Sequence, residues 1–99
     1  MAVDAIDVSC SRTDDGWACT VRVGSDAAAT THRVSVRAET LKELGDGADP
    51  ADLVHRSFAF LLEREPRTSI LASFDLAVIA RYFPEYPDEI ARRISDGRD

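Results

Sequence analysis

The chain has 99 residues, of which 44% are hydrophobic and 30% charged, with a formal net charge of −6. That is the length of one domain with a modest core, and the sequence has no low-complexity segment and no internal repeat of solenoid period. The acidic balance weighs against a simple phosphate-backbone binder, and no stretch approaches the roughly 18 apolar residues of a membrane span. Lys42 is the sole lysine beside many arginines, and Asp outnumbers Glu, as in a GC-rich coding sequence.

The beginning, MAVDAIDVSC, carries Asp4 and no apolar run, so no signal peptide is expected and the expected location is cytoplasmic. Residues 5–11 alternate, with Ile6, Val8 and Cys10 on one face and Asp7, Ser9 and Ser11 on the other. Residues 17–23 alternate as well: Trp17, Cys19, Val21 and Val23 oppose Ala18, Thr20 and Arg22. A third run, 31–37, sets His32, Val34 and Val36 against Arg33, Ser35 and Arg37. Period two with one apolar face predicts half-buried strands in an antiparallel meander with one wet face. Thr13-Asp14-Asp15-Gly16 is the first turn signal, and Gly24-Ser25-Asp26-Ala27 the second. A loop at 13–16 pairs Arg12 with Trp17, Cys10 with Cys19, Val8 with Val21 and Ile6 with Val23. A slip of one residue would set apolar side chains against the wet face, so this register is the expected one.

Cys10 and Cys19 are therefore expected as cross-strand neighbours beneath the helices. They read either as a redox disulfide or half of a metal site, or as two small buried hydrophobes. The C-x8-C spacing with one nearby His is not a usual zinc pattern, and a cytosolic disulfide is uncommon. Two buried thiols are the expectation.

The remainder predicts helices at 40–44, 50–65, 76–83 and 87–94, separated by Gly45-Asp46-Gly47-Ala48 and by Pro66 and Pro84. Asp49 and Pro50 form a start signal for the second helix, and Asp75 for the third. Ala51, Val54, Phe58, Leu61 and Leu62 make a wide stripe, which predicts a mostly buried helix across the sheet. Thr68 to Phe74 reads as a one-turn helix or tight loop carrying Ile70 and Leu71. Leu76, Ile79, Ala80 and Phe83, then Ile90 and Ile94, face the core, while Asp88 and Glu89 precede Arg92 and Arg93 at ion-pair spacing. The expected architecture is one α+β domain over 1–99: a meander half at 5–37, a helical half at 39–94 and a frayed tail at 95–99.

No P-loop, dinucleotide fingerprint, zinc-protease helix or nucleophile elbow occurs. Ser57, Ser69 and Ser73 have no base at a readable spacing, and Glu63, Glu65, Asp75, Glu85 and Glu89 each have a neighbouring arginine. An ion-pair network is the expected reading of those acids; His32 and His55 read as boundary histidines with local hydrogen bonds. No catalytic residue, metal ligand or cofactor is expected, and no enzyme. A small hydrolase, or a redox protein using Cys10 and Cys19, is the least favoured class.

The stretch Ser57 to Ile90, SFAFLLEREPRTSILASFDLAVIARYFPEYPDEI, resembles a small uncharacterised prokaryotic family with the pattern SFxFLLEREPxxSIL, FDLxxIxRYFPEY and EI. The resemblance covers about a third of the chain and implies a compact α+β domain, with no activity attached. Within the stretch, Arg81, Tyr82, Glu85 and Tyr86 sit at a proline-bounded corner rich in the residue types that anchor interfaces. They form the candidate partner-binding set, the other reading being tyrosines that cover the core edge with hydroxyls in water.

The expected function is a protein-interaction or accessory module, with a protein partner or a second copy docking at that corner or on an edge strand, Ile6 to Ser11 or Thr31 to Arg37. The alternative is a nucleic-acid-binding regulator using the last two helices or the wet-face arginines Arg22, Arg33 and Arg37. Net charge −6 disfavours it, and no membrane partner is expected.

Overall fold

A computed structural model describes residues 5–24, 27, 29–45 and 48–96. Readings that touch residues 1–4, the centres of the loops at 24–27 and 45–48, and the tail at 97–99 lie outside those residues. The meander is present as β1 (Ile6–Arg12), β2 (Gly16–Val23) and β3 (Thr30–Arg37). The register is the expected one throughout, from Ile6 opposite Val23 to Arg12 opposite Trp17. Alternation decides it: Cys19, Val21, Val23, Val34 and Val36 are buried on one face, and Thr20, Arg22, Arg33 and Ser35 are exposed on the other. The first turn is tighter than a four-residue loop, because Thr13 N–H already donates to the Gly16 carbonyl. Gly16 is needed there for close approach: a Cβ would lie 2.0 Å from the Val36 carbonyl oxygen.

Helix α1 (Ala38–Gly45) follows β3 directly, its first N–H held by the Asp15 carbonyl at 3.0 Å. Helix α2 (Pro50–Leu62) starts with Asp49 at the N-cap and Pro50 in the first turn. It packs over β1 and β2 and against α1 and α4 (Tyr86–Asp96). The expected end at 65 is corrected to Leu62: Glu63 and Arg64 N–H bond to carbonyls three residues back, so the last turn tightens before Pro66. Leu53, Val54, Phe58, Phe60, Leu76 and Ile90 are fully buried between this helical layer and the sheet.

Three further expectations are corrected. Among the described residues the sheet has four strands, order β1-β2-β3-β4, because Ser73–Asp75 (β4) pairs in parallel with β3. The segment 68–74, expected as a one-turn helix or tight loop, holds a one-turn 3-10 helix, Arg67–Ser69, followed by a short strand that covers part of the β3 edge. The 76–83 helix is split into a 3-10 turn, Leu76–Val78, and α3 (Ile79–Tyr82). Asp75 caps the turn by accepting from Ala77 N–H at 3.0 Å. The last helix runs on through Ser95 to Asp96, residues expected in a frayed tail.

Candidate docking site

The corner expected to carry partner binding is divided by the fold. Tyr86 opens α4 and points inward: it is 0% exposed, packed at 5.3 Å from the Phe60 ring. Its place in an exposed set is corrected, because Ser57 supplies a buried partner for its hydroxyl, 2.6 Å away. Burial pushes the Tyr86 phenol well above the ordinary tyrosine range. Glu85 is exposed and paired with Arg64 at 3.3 Å. Arg81 is exposed, and Tyr82 stands out at 68%.

Among the described residues the exposed large hydrophobics are two, Tyr82 and Leu71 at 51%. Both line one groove of about 370 Å³, whose floor includes Leu61, Ile70, Phe74 and Phe83. Its construction follows from local sequence. Pro66 ends the α2 segment, and the 3-10 turn at Arg67–Ser69 reverses the chain. Ile70 and Leu71 then fall on opposite sides of an extended stretch, so one is buried and its neighbour exposed. The second wall is α3 with the residue that follows it, which present Tyr82 and Phe83. Glu65 and Ser69 supply polar groups in the lining.

His32 fixes the wall that carries Leu71. It is 2% exposed, its Nδ1 lies 2.8 Å from the Leu71 carbonyl oxygen, and its Nε2 lies 2.8 Å from Thr30 Oγ1. A carbonyl only accepts, so Nδ1–H donates to Leu71. The local bond expected at a strand start is present, to Thr30, and the long-range bond to Leu71 is added to it. Behind the groove, Arg64 lies 3.7 Å from the centre of the Phe60 ring, a cation–π contact. Arg93 bonds Glu63 at 2.7 Å and Glu89 at 3.2 Å, tying the end of α2 to α4. The hydrogen bond from Arg93 is the main cause holding the Glu63 and Glu89 carboxyls below their usual range, and the bond to Glu63 chiefly raises Arg93. Glu89 also pairs with Arg92.

The cysteine pair is a disulfide, Cys10–Cys19, and no free cysteine remains. The expectation of two thiols is corrected. These residues form a non-hydrogen-bonded cross-strand pair with Cα atoms 4.0 Å apart, the position where opposing side chains come closest. No group of three metal-ligating side chains occurs among the described residues, and none of their helices is long and apolar enough to cross a membrane. On the wet face, Arg37 is paired with Asp75 at 3.6 Å and with Glu39 at 3.9 Å. Helix α3, the first of the two helices in the nucleic-acid alternative, has four residues, and the first turn of α4 carries Asp88 and Glu89.

The sequence places Leu71, Ile70 and Phe74 in a short turn segment and gives them no part in a binding surface. Their one legible signal is an apolar pair, Ile70-Leu71, in a segment too short for helix or strand alternation. In comparisons with protein-family models, curated proteins and solved structures, no match to the chain was found.

Proposed function

We propose that the protein is a small non-enzymatic interaction module that docks a protein partner in the groove between Leu71 and Tyr82. The observation that carries the reading is the convergence of both exposed large hydrophobics on one concave apolar surface. Scattered apolar residues on a surface are ordinary, but an apolar cluster lining a cleft is a recognition feature. The groove takes one or two apolar side chains of a partner, and Glu65 gives a carboxylate for a polar or basic neighbour. Arg81 extends the surface beyond Tyr82. Burying the tyrosine and the leucine is worth roughly 1–3 kcal/mol each, enough for a specific, modest affinity.

A cytoplasmic setting, expected from the sequence, requires that the Cys10–Cys19 bond be sheltered or maintained, since cytosolic thiols are kept reduced. Thiol labelling of protein taken directly from its native cells measures that state.

The test of docking is affinity capture from native cells with four baits. Wild type and an Arg22→Glu variant, altered on the wet sheet face, are expected to retain the same partner. Tyr82→Ala and Leu71→Asp are expected to lose it. Equal retention by all four would overturn the groove as the docking surface.

A further inference from the structure

The two sides of the sheet end differently. Beyond β3 the chain supplies β4, whose three residues pair with Arg33, Val34 and Ser35. Beyond β1 no strand follows among the described residues. The β1–β2 ladder runs through seven consecutive pairs with no bulge. Thr13 N–H donates to the Gly16 carbonyl and the Ala5 carbonyl accepts from Gly24 N–H, just past β2, so odd-numbered residues of β1 turn their backbone inward. The N–H and C=O groups of Ile6, Val8, Cys10 and Arg12 therefore point outward. Natural edges are blunted by charged side chains, proline, bulges or brevity; β1 has no proline, lysine or bulge, and its charges are Asp7 and Arg12. It is instead held straight and in register by the hairpin and by the Cys10–Cys19 disulfide. A strand already fixed in its paired geometry loses little further freedom when it pairs again.

We infer that β1 is a homodimer edge, pairing antiparallel with β1 of a second copy about a two-fold axis at Ser9. Outward backbone groups sit on even-numbered residues, and side chains on each face must match, so few registers are allowed. The one centred on Ser9 uses the whole strand. It sets Val8 against Cys10 of the second copy and Ile6 against the aliphatic stem of Arg12. On the wet face Asp7 meets Ser11, and Ser9 meets its own copy, all short side chains that leave the backbones free to approach. No like charges are opposed. The two Asp7 carboxylates stand roughly 14 Å apart, at four residues along the strand. That exceeds the screening length of about 10 Å at moderate salt. Ile6, Val8 and Cys10 are only partly buried, because α2 covers β1 from above and, among the described residues, no strand lies beyond it. A second copy closes that side and continues both layers. The groove at Leu71 and Tyr82 belongs to the β4 end of the sheet and stays open in such a dimer.

The experiment uses charge at the axis. Ser9 is exposed on the wet face, so its replacement does not disturb the core. Light scattering after size-exclusion chromatography is expected to give a dimer for wild type and monomers for Ser9→Lys and Ser9→Asp separately. An equimolar mixture of the two variants is expected to restore the dimer, as lysine then faces aspartate across the axis. Circular dichroism confirms that each variant is folded. A wild-type monomer, or a dimer that persists in both single variants, would overturn the inference.

Discussion

The Tyr86 hydroxyl donates to Ser57 Oγ at 2.6 Å, and Ser57 in turn donates to the Leu53 carbonyl at 2.7 Å. The donor order follows from the single proton of each hydroxyl: the carbonyl only accepts, so the serine proton is already committed. This buried chain joins the first turn of α4 to the middle of α2. It explains why one tyrosine of the corner belongs to the core and leaves Tyr82, four residues earlier, on the surface.

The two hydroxyls are expected to be energetically coupled. Ser57→Ala leaves the Tyr86 hydroxyl buried without an acceptor, a loss of about 1–3 kcal/mol. Tyr86→Phe leaves Ser57 bonded to Leu53 and is expected to cost about 1 kcal/mol. The double variant should be less destabilised than the two losses added together. Urea unfolding of the four proteins measures the coupling; strict additivity would show that the two hydroxyls do not interact.

The same tyrosine sets the alkaline limb of stability. Burial raises the folded phenol above its unfolded value of about 10. The folded state therefore holds the proton more tightly. Its stabilising contribution is complete below about pH 10 and falls as pH rises through and beyond that value. In a Tyr82→Phe variant, Tyr86 is the one remaining tyrosine. Its tyrosinate absorbance is expected to appear together with loss of the far-ultraviolet dichroism signal, and ionisation well before unfolding would contradict its burial.

On the acid side the sign reverses. Glu63 is held below its unfolded range, chiefly by its hydrogen bond from Arg93. The stability it contributes is present above about pH 4.3 and is lost as pH falls through the lowered folded value. The glutamate side chain is 55% exposed, so screening limits the effect. Glu63→Gln is expected to cost less than about 1 kcal/mol at neutral pH and to flatten the acid limb. Acid titration of unfolding in both proteins checks the slope.

The meander was legible because alternation fixes which face is wet, and one register alone matches Ile6, Val8 and Cys10 to Val23, Val21 and Cys19. Strand β4 was not legible. Ser73-Phe74-Asp75 is too short to show a period, and it forms because β3 offers a free edge and Ser35 Oγ bonds Asp75 at 3.0 Å. Tyr82 was visible as a candidate anchor, but its groove partner Leu71 comes from a segment placed by a buried histidine 39 residues away in sequence. Tyr86 was misplaced because its acceptor, Ser57, is 29 residues distant and carries no pattern of its own.

That histidine gives a further prediction. His32→Leu removes the donor to the Leu71 carbonyl while keeping an apolar contact to Phe58, whose ring lies 5.3 Å away. A loss of about 1–2 kcal/mol is expected, with faster amide exchange concentrated in residues 69–74. Uniform exchange across the sheet would show that His32 does not hold that wall in particular.

The disulfide closes a short loop, with nine residues of sequence separation between the cysteines. Loop entropy for that size gives at most about 3 kcal/mol, and less where the hairpin is already ordered in the unfolded ensemble. Reduction is expected to lower the urea midpoint while leaving the fold intact. Collapse of the structure on reduction would show that the core needs the bond.

Docking through the groove is tested most directly by a photo-crosslinking amino acid placed at position 82 in native cells, with the same group at position 20 on the wet face as control. One discrete crosslinked product is expected from position 82, lost when Leu71→Asp is added, and none from position 20. Crosslinks of equal yield from both positions, or a product at 82 that survives Leu71→Asp, would contradict it.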